Sequence, residues 1–351
     1  MAFLAACWVL FFLVVQPTVD GKADIRLGAD SATYFQYADL IRGHLTDSNQ
    51  TALISFGGNL LGPVAIALLL KTAFWVAVFN CFLFVIAISC ASQIRGVNRW
   101  LFFALLAINA ETAVSLITLN KEILALLSLV LFAKYVHSEN RSWLLLGTVL
   151  LISVLARWEQ ALAIVAFLFF QRNSSVFSTR PKLALATVVV AITLAYPLLL
   201  RSAAVDLEGF VSQGEGGNTI AVLDRIQASY GFPLVVMPKI LMNLAGRLIT
   251  PSYFIGDYLS EDFSDLQNQI AIHLHEIATV CIFAVALARR KLKASMPIPF
   301  FIALYLIMTA VSPFIQPRYE YPIYVLLALE LSHKEGVLHG HGAEASPGSP
   351  L

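Results

Sequence analysis

Charged residues are scarce in this chain of 351 residues: only 13% are Asp, Glu, Lys or Arg, whereas 58% are hydrophobic. A soluble domain is about half apolar and about a quarter charged. The net charge of +1 provides no basic surface for nucleic acid. Because the mean hydropathy is +0.77 and the apolar residues are grouped in long runs, the sequence indicates an all-α, polytopic integral membrane protein.

The chain also lacks the residue patterns of several kinds of site. Its four cysteines lie within apolar runs, which is typical of small core residues and not of disulfides or a zinc site. No G-x-x-x-x-G-K-[ST] sequence occurs, which argues against an ATP-driven pump. The two histidines of "HLHE" (273–276) do not share a helix face. We therefore expect no cofactor; a divalent metal is compatible with the sequence, but no ligand pattern supports one.

Apolar runs alternate along the chain with short polar connections. The N-terminal run lacks a basic segment and a cleavage site, so we expect an uncleaved first helix and not a signal peptide. The runs fall at 2–16, 52–70, 72–91, 100–119, 123–136, 143–156, 161–171, 183–200, 233–248, 270–288, 296–314 and 317–332.

The charges of the connections predict the topology, because basic loops stay in the cytoplasm. The basic connections contain Arg95 and Arg99, Lys134 and Arg141, Arg172, Arg180 and Lys182, and "RRKLK" at 289–293. If these basic connections lie in the cytoplasm, the chain is predicted to cross the membrane about ten times. This count requires that residues 52–91 make one net crossing and that residues 233–248 make none. The predicted domain is 1–332, with a first outer loop at 17–51, a large outer region at 201–269, and a Gly/Ser/Pro-rich, disordered cytoplasmic tail at 333–351.

Ionisable residues collect on the outer side of this topology. They could be interfacial turns with snorkelling side chains, or they could line a polar cleft. Three cations on one face suit a phosphate or pyrophosphate. The three cations are Lys121 in "LNKE", Arg157 in "RWEQ" and Arg318 in "QPRYEYP", and the same motifs contain Glu122, Glu159, Glu320 and Tyr321. Arg247 lies on another segment, which could cover a lipid-facing cleft.

The stretch "GADSATYFQYADLIRGHL" predicts a short amphipathic helix in the first outer loop. Tyr34 and Tyr37 recur at helical spacing on one face, and Gln36 and Asp39 lie on another. Asp30 precedes this helix, where it suits either a helix N-cap, as does the neighbouring serine, or a general base.

This stretch resembles the first outer loop of polytopic glycosyltransferases of the GT-C type. "NLLGP", "NKEIL" and "RYEYP" resemble membrane proteins of bacterial capsule and O-antigen assembly, including repeat-unit polymerases. The resemblance implies a polyprenyl-linked sugar donor, a glycan or lipid acceptor, Asp30 as base and Arg318 as a phosphate contact. Many GT-C loops carry two adjacent acidic residues, whereas Asp30 is followed by Ser31, which argues against a metal-bound mechanism.

The sequence hypothesis is thus a glycosyltransferase of the bacterial inner membrane, surrounded by lipid, with its active site on the outer face. In this hypothesis Asp30 is the base, and Glu122 and Glu159 are further catalytic carboxylates. Lys121, Arg157 and Arg318 bind phosphate, and Glu320, Tyr321, Tyr34 and Arg247 contact substrate. A repeat-unit polymerase, a lipid-linked glycan transporter or flippase, and a membrane scaffold are the alternatives.

Overall fold

The computed structural model describes residues 2–19, 29–42, 60–138, 141–172, 180–195, 217–249, 263–311 and 320–334. The regular structure of these residues is helical, apart from an isolated antiparallel bridge between Val97 and His333, which confirms the all-α prediction. In chain order the helices are α1 (Ala2–Leu10, continued by a π-helical turn, Phe11–Val15, and by Gln16–Val19), α2 (Ala29–Arg42), α3 (Leu61–Leu70), α4 (Ala73–Ser92), α5 (Arg99–Ile108), α6 (Ala110–Ile117), α7 (Glu122–His137), α8 (Trp143–Ala156), α9 (Trp158–Arg172), α10 (Pro181–Ala195), α11 (Gly217–Tyr230), α12 (Val236–Ile249), α13 (Phe263–Ala288), α14 (Pro297–Thr309) and α15 (Tyr321–Ser332).

Polar residues between the apolar runs set where several helices begin. The side chains of Thr72, Asn98, Asn109 and Ser142 each accept a hydrogen bond from a backbone N–H in the first turn of α4, α5, α6 and α8. Such caps satisfy donors that have no partner within the helix. Asn109 therefore divides the apolar run 100–119 into two helices.

The helix lengths differ from the predicted topology. Two helices, α4 and the Ile270–Ala288 part of α13, are long and apolar enough to cross a membrane, and α5 with α6 is a third candidate if the pair, bent by 85°, is one span. By length and composition, the described residues therefore supply two or three candidate spans and not about ten. Further apolar helices have 10–17 residues, fewer than the ~20 that a crossing needs, because turns cut the runs short.

Apolar side chains cover the outside of the bundle, and polar side chains lie within it. Leu69, Leu144 and Leu194 are 79%, 82% and 73% exposed. The central helices α7 and α15 are instead buried along most of their length. An apolar exterior around buried charges is the reverse of a soluble fold and fits a membrane environment.

The basic connections meet at one end of the bundle, which we call the basic end. The backbone of Asn98 donates to the carbonyl of Ser332 at 2.8 Å. The ring of His333 stacks on His137 with 4.9 Å between centroids, and Lys291 Nζ donates to the His333 carbonyl at 3.2 Å. The bundle thus continues to His333, past the predicted domain end at residue 332; residues 335–351 of the predicted tail lie outside the described residues.

Helix α3 lies at the opposite end of the bundle and does not cross it. Gly62, in its first turn, contacts the carbonyl of Leu155 near the end of α8. Lys71, after its last turn, leads within two residues into α4, which runs to the basic end. Both ends of α3 are therefore on the side away from the basic loops, as the prediction of one net crossing for 52–91 requires.

Candidate functional site

A layer of buried polar side chains crosses the bundle away from the basic end. The helices that rise from the basic end to this layer have 10–16 residues, which places it about 15–24 Å along their axes. Two helices continue beyond it, since α4 and α13 are about 30 and 39 Å long. We call this set the polar layer: Asn80, Asn109, Glu111, Thr112, Asn120, Lys121, Glu122, Arg157, Gln160, His275, Glu320 and Tyr321.

A buried ion pair in the layer joins two residues from motifs that are separate in the sequence. The guanidinium of Arg157 donates to a carboxylate oxygen of Glu122 at 2.5 Å. Their side chains are 5% and 1% exposed. Arg157 is the single non-helical residue between α8 and α9, and Glu122 opens α7. Charged hydrogen bonds shielded from water are stronger than exposed ones, so this pair fixes the guanidinium at the helix turn.

Lys121 lies directly beside this ion pair in the chain. It is buried, and its backbone N–H donates to the side chain of Asn120 at 2.8 Å. The amide of Asn120 in turn donates to Glu111 at 3.3 Å. The turn between α6 and α7 is therefore held by polar contacts inside the bundle and is not a solvent-exposed loop.

Gln160 extends the network along α9. Its amide nitrogen donates to the hydroxyl of Ser128 at 2.5 Å and to that of Ser153 at 3.2 Å. These contacts join α7, α8 and α9 below the Arg157 turn. Gln160 belongs to the "RWEQ" motif, in which only Arg157 and Glu159 were predicted to be site residues. The two serines lie in apolar runs, where nothing in the sequence indicated a polar contact.

The bend between α5 and α6 contributes a second network that sequence analysis missed. The side chain of Asn109 lies 2.9 Å from the Nδ1 atom of His275 on α13. The hydroxyls of Thr112 and Tyr321 share a hydrogen bond of 3.0 Å. An asparagine at the centre of an apolar run was the available signal for this break.

Glu320 and Tyr321 enter the layer at the start of α15. Glu320 is 1% exposed, and Thr309 donates to one of its carboxylate oxygens at 3.1 Å. Arg157 lies close to Glu320, and Arg157, Glu122, Glu159 and Glu320 all lie in the neighbourhood of the Tyr305 hydroxyl. Glu159, half-buried in the first turn of α9, thus belongs to the same surroundings. Arg318 lies outside the described residues.

Helix α2 packs onto this end of the bundle. The hydroxyl of Ser31 donates to the carbonyl of Leu119 at 2.8 Å, two residues before Lys121. Tyr34 and Tyr37 are buried, whereas Asp39 is exposed and pairs with Arg42 at 2.8 Å, which confirms the predicted amphipathic helix.

The prediction that Asp30 or Ser31 is the N-cap of this helix is wrong. Both residues lie within α2, whose described part starts at Ala29. Ser31 contacts the α6–α7 turn and not the end of its own helix. The side chains of Asp30 and Arg247 are outside the described part of the structure, although both residues lie in helices, α2 and α12.

Arg42 ties the far end of α2 to α3. Its guanidinium donates to the carbonyls of Ala67 and Leu68 at 2.6 and 3.1 Å. A cation beside carbonyls at the C-terminal end of a helix is favourable, because they carry partial negative charge. The two helices therefore lie side by side over the polar layer.

Of the predicted site residues, the structure brings Lys121, Glu122, Arg157, Glu320 and Tyr321 into one layer, with Glu159 half-buried beside Arg157, and it places Tyr34 in the helix that packs on it. Within the described ranges, no group of three or more His, Cys, Asp or Glu side chains is arranged to hold a metal ion.

Comparison with models of protein families, with curated proteins and with solved structures found no match to this chain.

Proposed function

We propose that the protein is a membrane glycosyltransferase that takes a sugar from a polyprenyl-phosphate-linked donor and transfers it to a glycan or lipid acceptor. The observation that carries the proposal is the buried ion pair between Arg157 and Glu122, next to buried Lys121 in the polar layer. Helices α4 and α13 continue beyond this layer, so the layer lies inside the bundle and not at its end. The resemblance of the sequence to GT-C enzymes points to the same donor class.

The depth of the layer favours a substrate that arrives through the bilayer. With the basic end at the cytoplasmic surface, the layer lies about 15–24 Å into a hydrocarbon core of about 30 Å. Cations at such a depth pair with carboxylates, as Arg157 does with Glu122, and they typically mark a pathway or a ligand site. The phosphate of a lipid-linked donor is an anion that reaches this depth, because its chain dissolves in the membrane.

The proposed reaction uses the residues around this layer. The acceptor hydroxyl oxygen attacks C1 of the sugar, and its proton passes to the Asp30 carboxylate. The bond between C1 and the phosphate oxygen breaks, and its electron pair leaves with polyprenyl phosphate. Fixed positive charge stabilises that oxygen as it becomes negative, a task for Lys121 and Arg157, joined by Arg318.

Glu122 has a different role in this scheme from the one that the sequence suggested. Because it accepts a hydrogen bond from Arg157, it orients the guanidinium, and Asp30 remains the base. Glu159, a further catalytic carboxylate in the sequence hypothesis, and Glu320, which lies near Arg157, are the alternative bases. The proposal also places the protein in the bacterial inner membrane, with its active site on the outer face.

A repeat-unit polymerase is the closest variant of the proposal. It would transfer a whole glycan from one lipid carrier to another, so that Lys121 and Arg157 would serve two lipid phosphates. The two buried cations favour neither variant over the other.

The 85° bend at Asn109 favours a second candidate function, transport of a lipid-linked glycan. Transporters use broken helices with polar groups at their ends to line a path near the middle of the membrane. His275, hydrogen-bonded to Asn109 at the break, would lie on such a path.

One experiment separates these functions. The full chain is reconstituted in sealed vesicles with radiolabelled sugars on polyprenyl phosphate or diphosphate, together with acceptor glycans. A transferase moves the label to the acceptor and releases polyprenyl phosphate, whereas a transporter moves the intact donor across the bilayer. Arg99→Gln, at an exposed cation of the basic end, is the control for changes of charge. Intact donor throughout, with folded protein, would refute the transferase.

A further inference from the structure

A cavity of about 260 Å³ lies at the basic end of the bundle, between the end of α9 and the starts of α10 and α14. It is separated from the polar layer by most of the length of α9. No sequence motif or proposed reaction step involves it.

Three phenylalanines form the apolar wall of this cavity. Phe167, Phe170 and Phe300 all line it and are buried. The ring of Phe300 lies 6.1 Å from that of Phe167 and 6.2 Å from that of Phe170, between centroids. Ring contacts at these distances are favourable, so the three phenylalanines pack as one apolar wall.

Polar groups complete the lining on the side of the loops. Arg141, Gln171 and Ser295 supply a guanidinium, an amide and a hydroxyl. The side-chain oxygen of Gln171 is buried and accepts no hydrogen bond from the described residues. A buried acceptor of this kind is costly unless a ligand or water donates to it.

Residues close in sequence to the cavity lining are apolar or basic. Trp143 and Phe169, next to the lining residues on α8 and α9, are 77% and 58% exposed. Arg180, Lys182 and Lys293 lie on the adjoining connections and are exposed. A free anion would gain only from the cations, whereas a lipid gains from the apolar residues as well. Basic recesses between helices on the cytoplasmic side typically bind anionic lipid head groups.

We propose that this cavity binds the head group of an anionic phospholipid. The phosphate pairs with Arg141, a head-group hydroxyl donates to Gln171, and the glycerol backbone lies against the phenylalanine wall. The acyl chains leave over Trp143 and Phe169. The site is independent of the proposed transferase reaction, because it shares no residue with the polar layer.

Retained lipid tests the proposal directly. The full chain is reconstituted in phosphatidylcholine with or without phosphatidylglycerol, extracted in mild detergent, and weighed by native mass spectrometry. We expect phosphatidylglycerol to be retained in preference to phosphatidylcholine. Arg141→Gln should lower that preference roughly fivefold, the effect of one basic residue at an anionic lipid surface.

Two further variants keep the outcome interpretable. Ala294→Phe, at a lining residue, fills the cavity without changing charge and should abolish the preference. Arg99→Gln removes an exposed cation from the same end, outside the cavity lining, and should leave the preference intact. Equal retention of both lipids by the wild type would overturn the proposal. So would displacement of phosphatidylglycerol by inorganic phosphate alone, because the site would then be a simple anion site.

Discussion

The guanidinium of Arg157 donates to the carboxylate of Glu122 across 35 residues of sequence, at 2.5 Å and with both side chains shielded from solvent. The pair joins the turn between α8 and α9 to the first residue of α7. All three helices run from this pair to the basic end. The pair therefore holds their opposite ends together on one side of the polar layer.

A double-mutant cycle measures this pair. Removing one partner of a buried ion pair costs about 3–5 kcal/mol, because the other charge stays buried. Glu122→Gln and Arg157→Gln should therefore each lower the melting temperature in detergent, and the double variant should melt above the value expected from their sum. Additive losses would mean that the two charges do not depend on each other.

The close approach of α3 to α8 predicts an effect of one added methyl group. A Cβ at residue 62 would lie 2.3 Å from the Leu155 carbonyl oxygen and 2.9 Å from Leu124 Cδ1. Backbone cannot move aside cheaply, so Gly62→Ala should destabilise the protein by about 1–3 kcal/mol, as overpacking does.

Gly147 on α8 provides the matched control. A Cβ there meets nothing within 4 Å. Gly147→Ala should therefore stabilise the helix by about 0.5–1 kcal/mol, since glycine is the poorer helix former. Thermal unfolding of both variants in the same detergent makes the comparison; a stable Gly62→Ala protein would contradict the packing of α3 on α8.

The sequence predicted helices and the grouping of charges well, because apolar runs and clustered ions depend only on local pattern. It placed Lys121, Glu122 and Arg157 on one side, and they do lie in one layer. It could not predict their partners. Whether Glu122 faces Arg157 depends on how α7 packs against α8 and α9, and no local pattern records that packing.

The predicted ten crossings exceed the two or three candidate spans of the described residues for a related reason. Hydropathy treats 100–119 as one apolar segment, but Asn109 caps a new helix and bends the chain by 85°. A single asparagine hardly changes the average over a window, although its hydrogen bond to the backbone N–H of Glu111 redirects the chain. Asn109 is the residue from which the break in this run could have been predicted, whereas the break at Arg157 was predicted between the runs 143–156 and 161–171.

Accessibility labelling tests the orientation of the bundle. Ser138 ends α7 at the basic end, and Ser264 lies near the start of α13, about 36 Å along the helix from Ala288. In cells that express a cysteine-free background, Ser264→Cys should react with an impermeant thiol reagent and Ser138→Cys should not. The reverse pattern would put the basic loops outside and would remove the basis for an outer-face site.

The role of Asp30 is tested by a change that preserves shape and removes basicity. Ser31 anchors α2 to the turn before Lys121, so its neighbour Asp30 lies on a helix that packs against this turn. An amide cannot take a proton from an acceptor hydroxyl. Loss of a general base costs about 10²- to 10⁴-fold in rate, and we expect Asp30→Asn to lose transfer activity in that range at saturating donor.

Asp39→Asn is the control on the same helix. Asp39 is exposed and pairs with Arg42, an interaction worth about 1 kcal/mol or less in water. Asp39→Asn should therefore have the membrane insertion, melting temperature and transfer activity of the wild type. Asp30→Asn should have the same membrane insertion and melting temperature as Asp39→Asn. If Asp30→Asn keeps its activity within a few-fold, the base must be sought among the layer's own carboxylates. Glu320 would then be the first to replace, because only Thr309 among the described residues donates to its buried carboxylate.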